Sequence, residues 1–168
     1  MKKILCILLA FSCLFAVMGC SKSDSVPENS IAVYYKKAIP EYGTEEGITG
    51  KTYLDISGQN DEIMDILNLY LSADPGEDFA VTFPENVRIV RFEVEALTAK
   101  VVLNSQMATF TGMDMTIALT CLTKTVLSMT DCQEVIFSAE DTLLHGEKFV
   151  TLTADSFLSV DTSGQPES

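Results

Sequence analysis

Cys20 is the side chain whose neighbours prescribe a reaction for it. It follows Gly19 at the end of an apolar run, Ile4 to Val17, that opens with Met1-Lys2-Lys3. A small residue before the cysteine lets a peptidase approach the backbone, and the thiol is a nucleophile able to take a diacylglycerol. The lysines stay on the cytoplasmic side of a membrane while the run inserts, and fourteen residues fall short of the roughly 20 that a spanning helix needs. No other position invites covalent chemistry so directly. His145 is the single histidine, lies beside Gly146, and reads as a surface turn rather than a general base, since a base needs an orienting partner. The chain has no Gly-x-Ser-x-Gly elbow, Walker loop, Gly-x-Gly-x-x-Gly or His-Glu-x-x-His.

Two acidic loops come near to metal chemistry. Asp55-Ile56-Ser57-Gly58-Gln59-Asn60-Asp61 has the beginnings of a calcium loop, but its glycine comes fourth rather than sixth. Ile66 also stands where a bidentate Glu belongs, so it is not an EF-hand. Asp74-Pro75-Gly76-Glu77-Asp78 is accounted for by helix termination. Cys6 and Cys13 lie in the N-terminal run, leaving Cys121 and Cys132, expected as two buried thiols rather than a bridge. Two cysteines and one histidine do not make a zinc site. No catalytic, cofactor-binding or metal residue is therefore expected, and Cys20 is the one site residue, for lipid attachment.

Residues 1–19 resemble a bacterial lipoprotein signal peptide, removed before Cys20. The alternative is a secretory signal or short anchor with an incidental cysteine. On the lipoprotein reading the protein is held on the extracytoplasmic face of the cell membrane by a diacylglycerol and acyl (palmitate-type) anchor. Removing residues 1–19 takes away two of the eleven basic residues and no acidic one, moving the net charge from −13 to −15. That charge argues against nucleic acid and against docking on anionic headgroups.

The elements follow from periodicity. Residues 20–30 are polar with Pro27 and read as a flexible linker. Ile31–Tyr35 is a strand candidate, and 36–52 a Gly- and Glu-rich loop with at most a short extended piece near 51–54. Asn60 is a candidate cap for a helix carrying Ile63, Ile66, Leu67, Tyr70 and Leu71 on one face. Val90, Phe92 and Val94 alternate with charged residues, and 99–104 forms the second strand of an antiparallel hairpin whose turn lacks Gly or Asn. Residues 111–129 fit a helical stripe but also alternate with threonines; length favours helix. Strands at 134–137 and 148–152 close the domain, and 161–168 is a polar tail. The expected class is α+β, a single domain of βαββαβ-like order. Two helices pack on one face of a mixed sheet, with one extra short hairpin strand.

Across 31–160 the segments resemble, in order, those of the GerMN domain of sporulation and spore-germination lipoproteins. Val33-Tyr34-Tyr35 is similar to its opening strand, and Ile63–Leu71 with Asp74-Pro75-Gly76 to its first helix and exit. Phe83-Pro84-Glu85-Asn86-Val87-Arg88-Ile89 resembles its Ile-Pro-x-Gly-Thr strand start, with Asn86 in place of Gly. Val101–Ser105 resembles its Val-Asp-Phe/Leu-Ser end. Val135-Ile136-Phe137 and Leu152–Leu158 resemble its closing strand and Leu-Thr-x-x-Asp-Phe segment, while Ala139-Glu140-Asp141 replaces its usual Asp-Gly. The resemblance implies association and scaffolding in the cell envelope, in sporulation or germination, rather than catalysis. An envelope protein or a second copy would be the partner. The competing reading is a small-ligand or cell-wall-binding envelope lipoprotein, perhaps hydrolytic, which requires a pocket with convergent polar groups.

Overall fold

The computed structural model describes residues 27–41, 45–59 and 62–153. Cys20, Asn60, Asp61 and the tail, and with them the anchor and part of the helix cap expected from sequence, lie outside the described residues. The elements are β1 (Ser30–Lys36), α1 (Glu45–Ile48), β2 (Thr49–Asp55), α2 (Ile63–Ser72), β3 (Ile89–Glu95) and β4 (Thr98–Leu103). A 3₁₀ turn (Ser105–Thr109), α3 (Gly112–Met129), β5 (Glu134–Ala139) and β6 (Val150–Thr153) follow. The class is α+β, as expected, and β2 to β5 run in βαββαβ order.

The strands divide into two sheets. β1 and β2 pair antiparallel by themselves, and β3-β4-β5-β6 form a mixed sheet in which β4 and β5 are parallel. Parallel neighbours need a long crossover, and α3 supplies it. Ala99, Val101 and Leu103 of β4 and Val135 and Phe137 of β5 are fully buried on one face of this sheet. Residues 102, 136 and 138 between them are half-buried on the other. One face is thus covered and the other open.

α2 is amphipathic in the ordinary way, burying Ile66, Leu67, Tyr70 and Leu71. It starts at Ile63 with Glu62 in the capping position. The carbonyl of Glu62 accepts from Asp65 and Ile66 N–H, with no side-chain cap. Asn68 on its flank pairs with the edge of β3, its Oδ1 accepting from Ile89 N–H at 2.8 Å and its Nδ2 donating to Ile89 O at 3.1 Å.

α3 behaves differently. Ten of its eighteen residues are buried, Thr120, Thr123 and Thr125 among them. At about 100° per residue, Thr125 and Ser128 point away from Leu119 and Thr116. The first pair bonds β1; the second lines a small cavity with Val150 and Leu152 of β6. The helix is sandwiched between the hairpin and the larger sheet, which is why a threonine alternation overlies its apolar stripe. Thr123 and Thr125 donate to Leu119 O and Cys121 O one turn back, at 2.8 and 2.9 Å, so their hydroxyls are satisfied inside the helix.

β2 is a full strand where the sequence suggested a short extended piece. Its register with β1 explains it: every residue from Thr49 to Asp55 has a partner between Lys36 and Ser30. Gly50 belongs there because a Cβ would come 2.7 Å from Phe79 Cε1, whose ring lies across the strand.

Candidate functional site

The outward edge of β1 is closed by hydroxyl groups. Residues 32, 34 and 36 present their backbone groups away from β2, where they would otherwise form an unpaired strand edge. Ser128 Oγ donates to Ala32 O at 3.0 Å, and Tyr34 N–H donates to Thr125 Oγ1 at 3.1 Å. The Tyr70 hydroxyl donates to Tyr34 O, and Lys36 N–H donates to Thr82 Oγ1 at 2.9 Å. Ala80 N–H completes the edge by donating to Lys36 O at 2.8 Å. Below this edge Tyr35 sits among Tyr70, Phe79 and Phe83, with ring centroids 5.0, 5.8 and 6.4 Å away, and donates to Tyr70 O at 3.0 Å. Burial raises both phenol pKa values, Tyr35 with help from Asp74 and Cys121. Cys121 adds to the rise at Tyr70, while Thr125 works against it. The cluster is a locked core and not an acid–base centre at neutral pH.

On the hairpin's outer side a groove of about 710 Å³ opens beside Tyr34. Tyr34 faces Lys51 across the strand pair, and Lys124 reaches over from α3, its Nζ 5.1 Å from the Tyr34 ring centroid and 3.2 Å from Thr49 Oγ1. At the other end Lys37 bridges to Phe79, next to Glu77 and Asp78. Ile39, 83% exposed, and Glu46 complete its rim. Glu77 and Asp78 stood out in the sequence as part of an acidic stretch, but nothing there joined them to Tyr34 or the lysines. Its side chains come from five segments, and their common location depends on the β1–β2 register.

The open face of the four-stranded sheet carries a second depression of about 530 Å³, lined by Arg91, Glu93, Lys100, Val102, Ile136 and Phe149 among others. Phe149 is 58% exposed. Lys100 is paired with Glu95 at 2.7 Å, and Thr98 donates to Glu134 Oε1 at 2.6 Å. Its charged side chains come from β3 and β4, and its apolar ones from β4, β5 and the segment entering β6.

The positions weighed from sequence fall into place separately. His145 is exposed in a turn at φ +53°, its Nε2 3.2 Å from Thr116 Oγ1, and among the described residues no carboxylate is bonded to it. Asp55 folds onto its own loop: Oδ1 accepts from Ser57 N–H at 2.8 Å. The bonds from the Ser57 side chain and backbone lower its carboxyl pKa. Asp74 Oδ1 accepts from Gly76 N–H at 3.0 Å. Both are Asx turns, and among the described residues no group of three His, Cys, Asp or Glu is arranged to hold a metal. Cys121 is buried, Cys132 is half-buried where full burial was expected, and the two are not bridged. Among the described residues no helix is long and apolar enough to cross a membrane.

No family model and no curated protein sequence matches the chain. The resemblance to the GerMN domain therefore rests on the sequence segments alone. Among solved structures, one described as "Putative Lipoprotein from Clostridium perfringens" is similar. It has 11% sequence identity and a TM-score of 0.44, over 76% of this chain and 89% of that one. A likeness at this level carries no argument about function, and the site rests on its own geometry.

Proposed function

We propose that this is a lipid-anchored protein of the cell envelope whose domain docks other proteins rather than catalysing a reaction. The observation that carries the reading is the uncovered face of the four-stranded sheet. There half-buried Val102 and Ile136 and the exposed Phe149 lie beside Arg91, Glu93 and the Glu95–Lys100 pair. A face of this kind gains free energy when a partner excludes water from it, and the surrounding charges select the partner. The Gly19-Cys20 junction supplies the address, the extracytoplasmic membrane face. The likeness of the sequence segments to GerMN domains favours sporulation or germination as the setting, with an envelope protein or a second copy as partner.

A photoreactive side chain placed at Phe149 of the full chain, in cells that make it, tests the docking face. A defined protein adduct is expected, lost when Val102→Glu is added and kept with Ile39→Glu on the opposite side. Absence of any adduct, together with a monomer in detergent at high concentration, would overturn the reading. Cys20→Ser tests the anchor separately: release from the membrane fraction is expected, and unchanged retention refutes it.

A further inference from the structure

We propose that the outer edge of β3 pairs antiparallel with β3 of a second copy, across a two-fold axis at Phe92, joining the two larger sheets into one. The site is a strand edge, not the open face, and the proposal does not rest on the docking reading. β3 is an outer strand of its sheet. Glu95 and Thr98 flank the two-residue turn of the β3–β4 hairpin, so their backbone groups bond each other. Alternation then turns the backbone groups of Glu93 and Arg91 toward β4 and those of Val94 and Phe92 outward. Among the described residues nothing bonds the outward groups of Phe92 and Val94. The other end of the strand is closed. Asn68 occupies both outward groups of Ile89, and Val90 is a bulge left unmatched between the Ile89–Leu103 and Arg91–Val102 pairs. These two features end the pairing edge at Val90, leaving residues 90–94.

This stretch is its own complement in one register. A two-fold axis at Phe92 sets Arg91 of each copy opposite Glu93 of the other, Val90 opposite Val94, and Phe92 opposite itself. Arg91 and Glu93 lie on the open face with their cross-strand neighbours Val102 and Lys100. Lys100 is taken by Glu95, and among the described residues neither Arg91 nor Glu93 has a salt bridge. Charges on an edge strand ordinarily keep copies apart. In this register they attract, as two opposite-charge pairs directly across the new junction. On the other face Val90 and Val94, 36% and 49% exposed, flank the half-buried Phe92, and pairing withdraws them from water. Moving the axis to Glu93 would set two Glu93 carboxylates against each other, and moving it to Val94 would set Glu93 against Glu95 twice. Charge therefore selects both the second copy and the register.

Sedimentation of the detergent-purified full chain is expected to shift from monomer to dimer as its concentration rises. Arg91→Glu and Glu93→Arg each set like charges opposite one another at two places, and each should weaken the dimer roughly tenfold or more. The double variant Arg91→Glu/Glu93→Arg restores both pairs with the charges exchanged and should dimerise like the unaltered chain. Both residues are exposed, so thermal unfolding of the diluted variants should be unchanged. In the unaltered chain, amide exchange at Phe92 should slow as the dimer forms, which reads the backbone pairing without any substitution. A chain that stays monomeric at every concentration, single variants that dimerise unchanged, a double variant that does not recover, or Phe92 exchange indifferent to dimer formation would each overturn the proposal. A Phe149 adduct with a different protein, formed by a chain that stays monomeric, would overturn the dimer and leave the open-face reading standing.

Discussion

The Tyr70 side chain joins two kinds of stabilisation that are usually separate. Its ring fills the core between Tyr35 and Phe83, and its hydroxyl reaches the edge of β1 at Tyr34 O. Removing that hydroxyl leaves the carbonyl without its bond, so Tyr70→Phe should lower unfolding free energy by about 1–2 kcal/mol in urea melts at pH 7. The same phenols set an alkaline limit. Burial raises the folded-state pKa of Tyr35 and Tyr70 above the unfolded value near 10. The folded protein therefore holds protons that the unfolded chain releases. Their contribution is complete below pH 10 and declines as pH rises above it, by up to about 1.4 kcal/mol per pH unit for each tyrosine. Melts at pH 9, 10 and 11 should show this fall, and Tyr70→Phe should show a shallower one. Equal slopes in the two proteins would mean that Tyr70 does not cause the fall. Asp55 acts in the opposite sense, its lowered pKa contributing above about pH 4 and being lost below it.

At the scale of elements, α3 and the β3–β4 hairpin show where local pattern stops being informative. α2 was legible because only one of its sides is buried, so Ile63, Ile66, Leu67, Tyr70 and Leu71 stand out at helical spacing. α3 is covered from two directions, and Thr125, one of the threonines that lower its helix propensity, serves as a bonding group for β1. That use could not be read from sequence: Thr125 and Tyr34 are 91 residues apart. β2 was obscured by Gly50 and its polar neighbours for the same reason, since its pairing and the covering Phe79 are long-range facts. The groove beside Tyr34 inherits that invisibility, and the alternation in 90–95 misleads in part: it implies a buried face of Val90, Phe92 and Val94, whereas on this edge strand Val90 and Val94 are exposed. Two substitutions test these elements. Thr125→Val keeps the shape and removes the acceptor of Tyr34 N–H, so a loss of about 1–3 kcal/mol is expected with faster amide exchange at Tyr34. In the β3–β4 turn, Ala96 occupies φ +53°, a conformation that favours glycine. Ala96→Gly should raise stability by roughly 0.5–1 kcal/mol, and a decrease in urea melts would mean that the added freedom of the unfolded chain outweighs the relieved strain.

For the molecule as a whole, the position of α3 decides whether the two sheets are one folding unit. The hairpin of β1 and β2 is too small to stand alone, because an isolated two-stranded pair is marginal in water. It depends on α3 through Thr125 and Ser128, and on α2 through the Tyr70 hydroxyl. The larger sheet depends on the same helix as the crossover between its parallel strands and as part of the cover over Val101, Val135 and Phe137. Leu122, 1% exposed in the middle of α3, belongs to the single core that all these residues share. Leu122→Ala removes buried methyl groups from the common layer and should cost about 2–5 kcal/mol, according to how far the cavity collapses. Because both sheets lean on the helix, the loss should appear as one earlier transition with the same midpoint for every probe. Tyrosine fluorescence follows the β1 side, and hydrogen exchange at Val101 and Phe137 follows the large sheet. If the fluorescence of the variant changed at lower urea than exchange at the sheet, the hairpin would be an independent layer. The groove beside Tyr34 would then open without unfolding the face of the larger sheet.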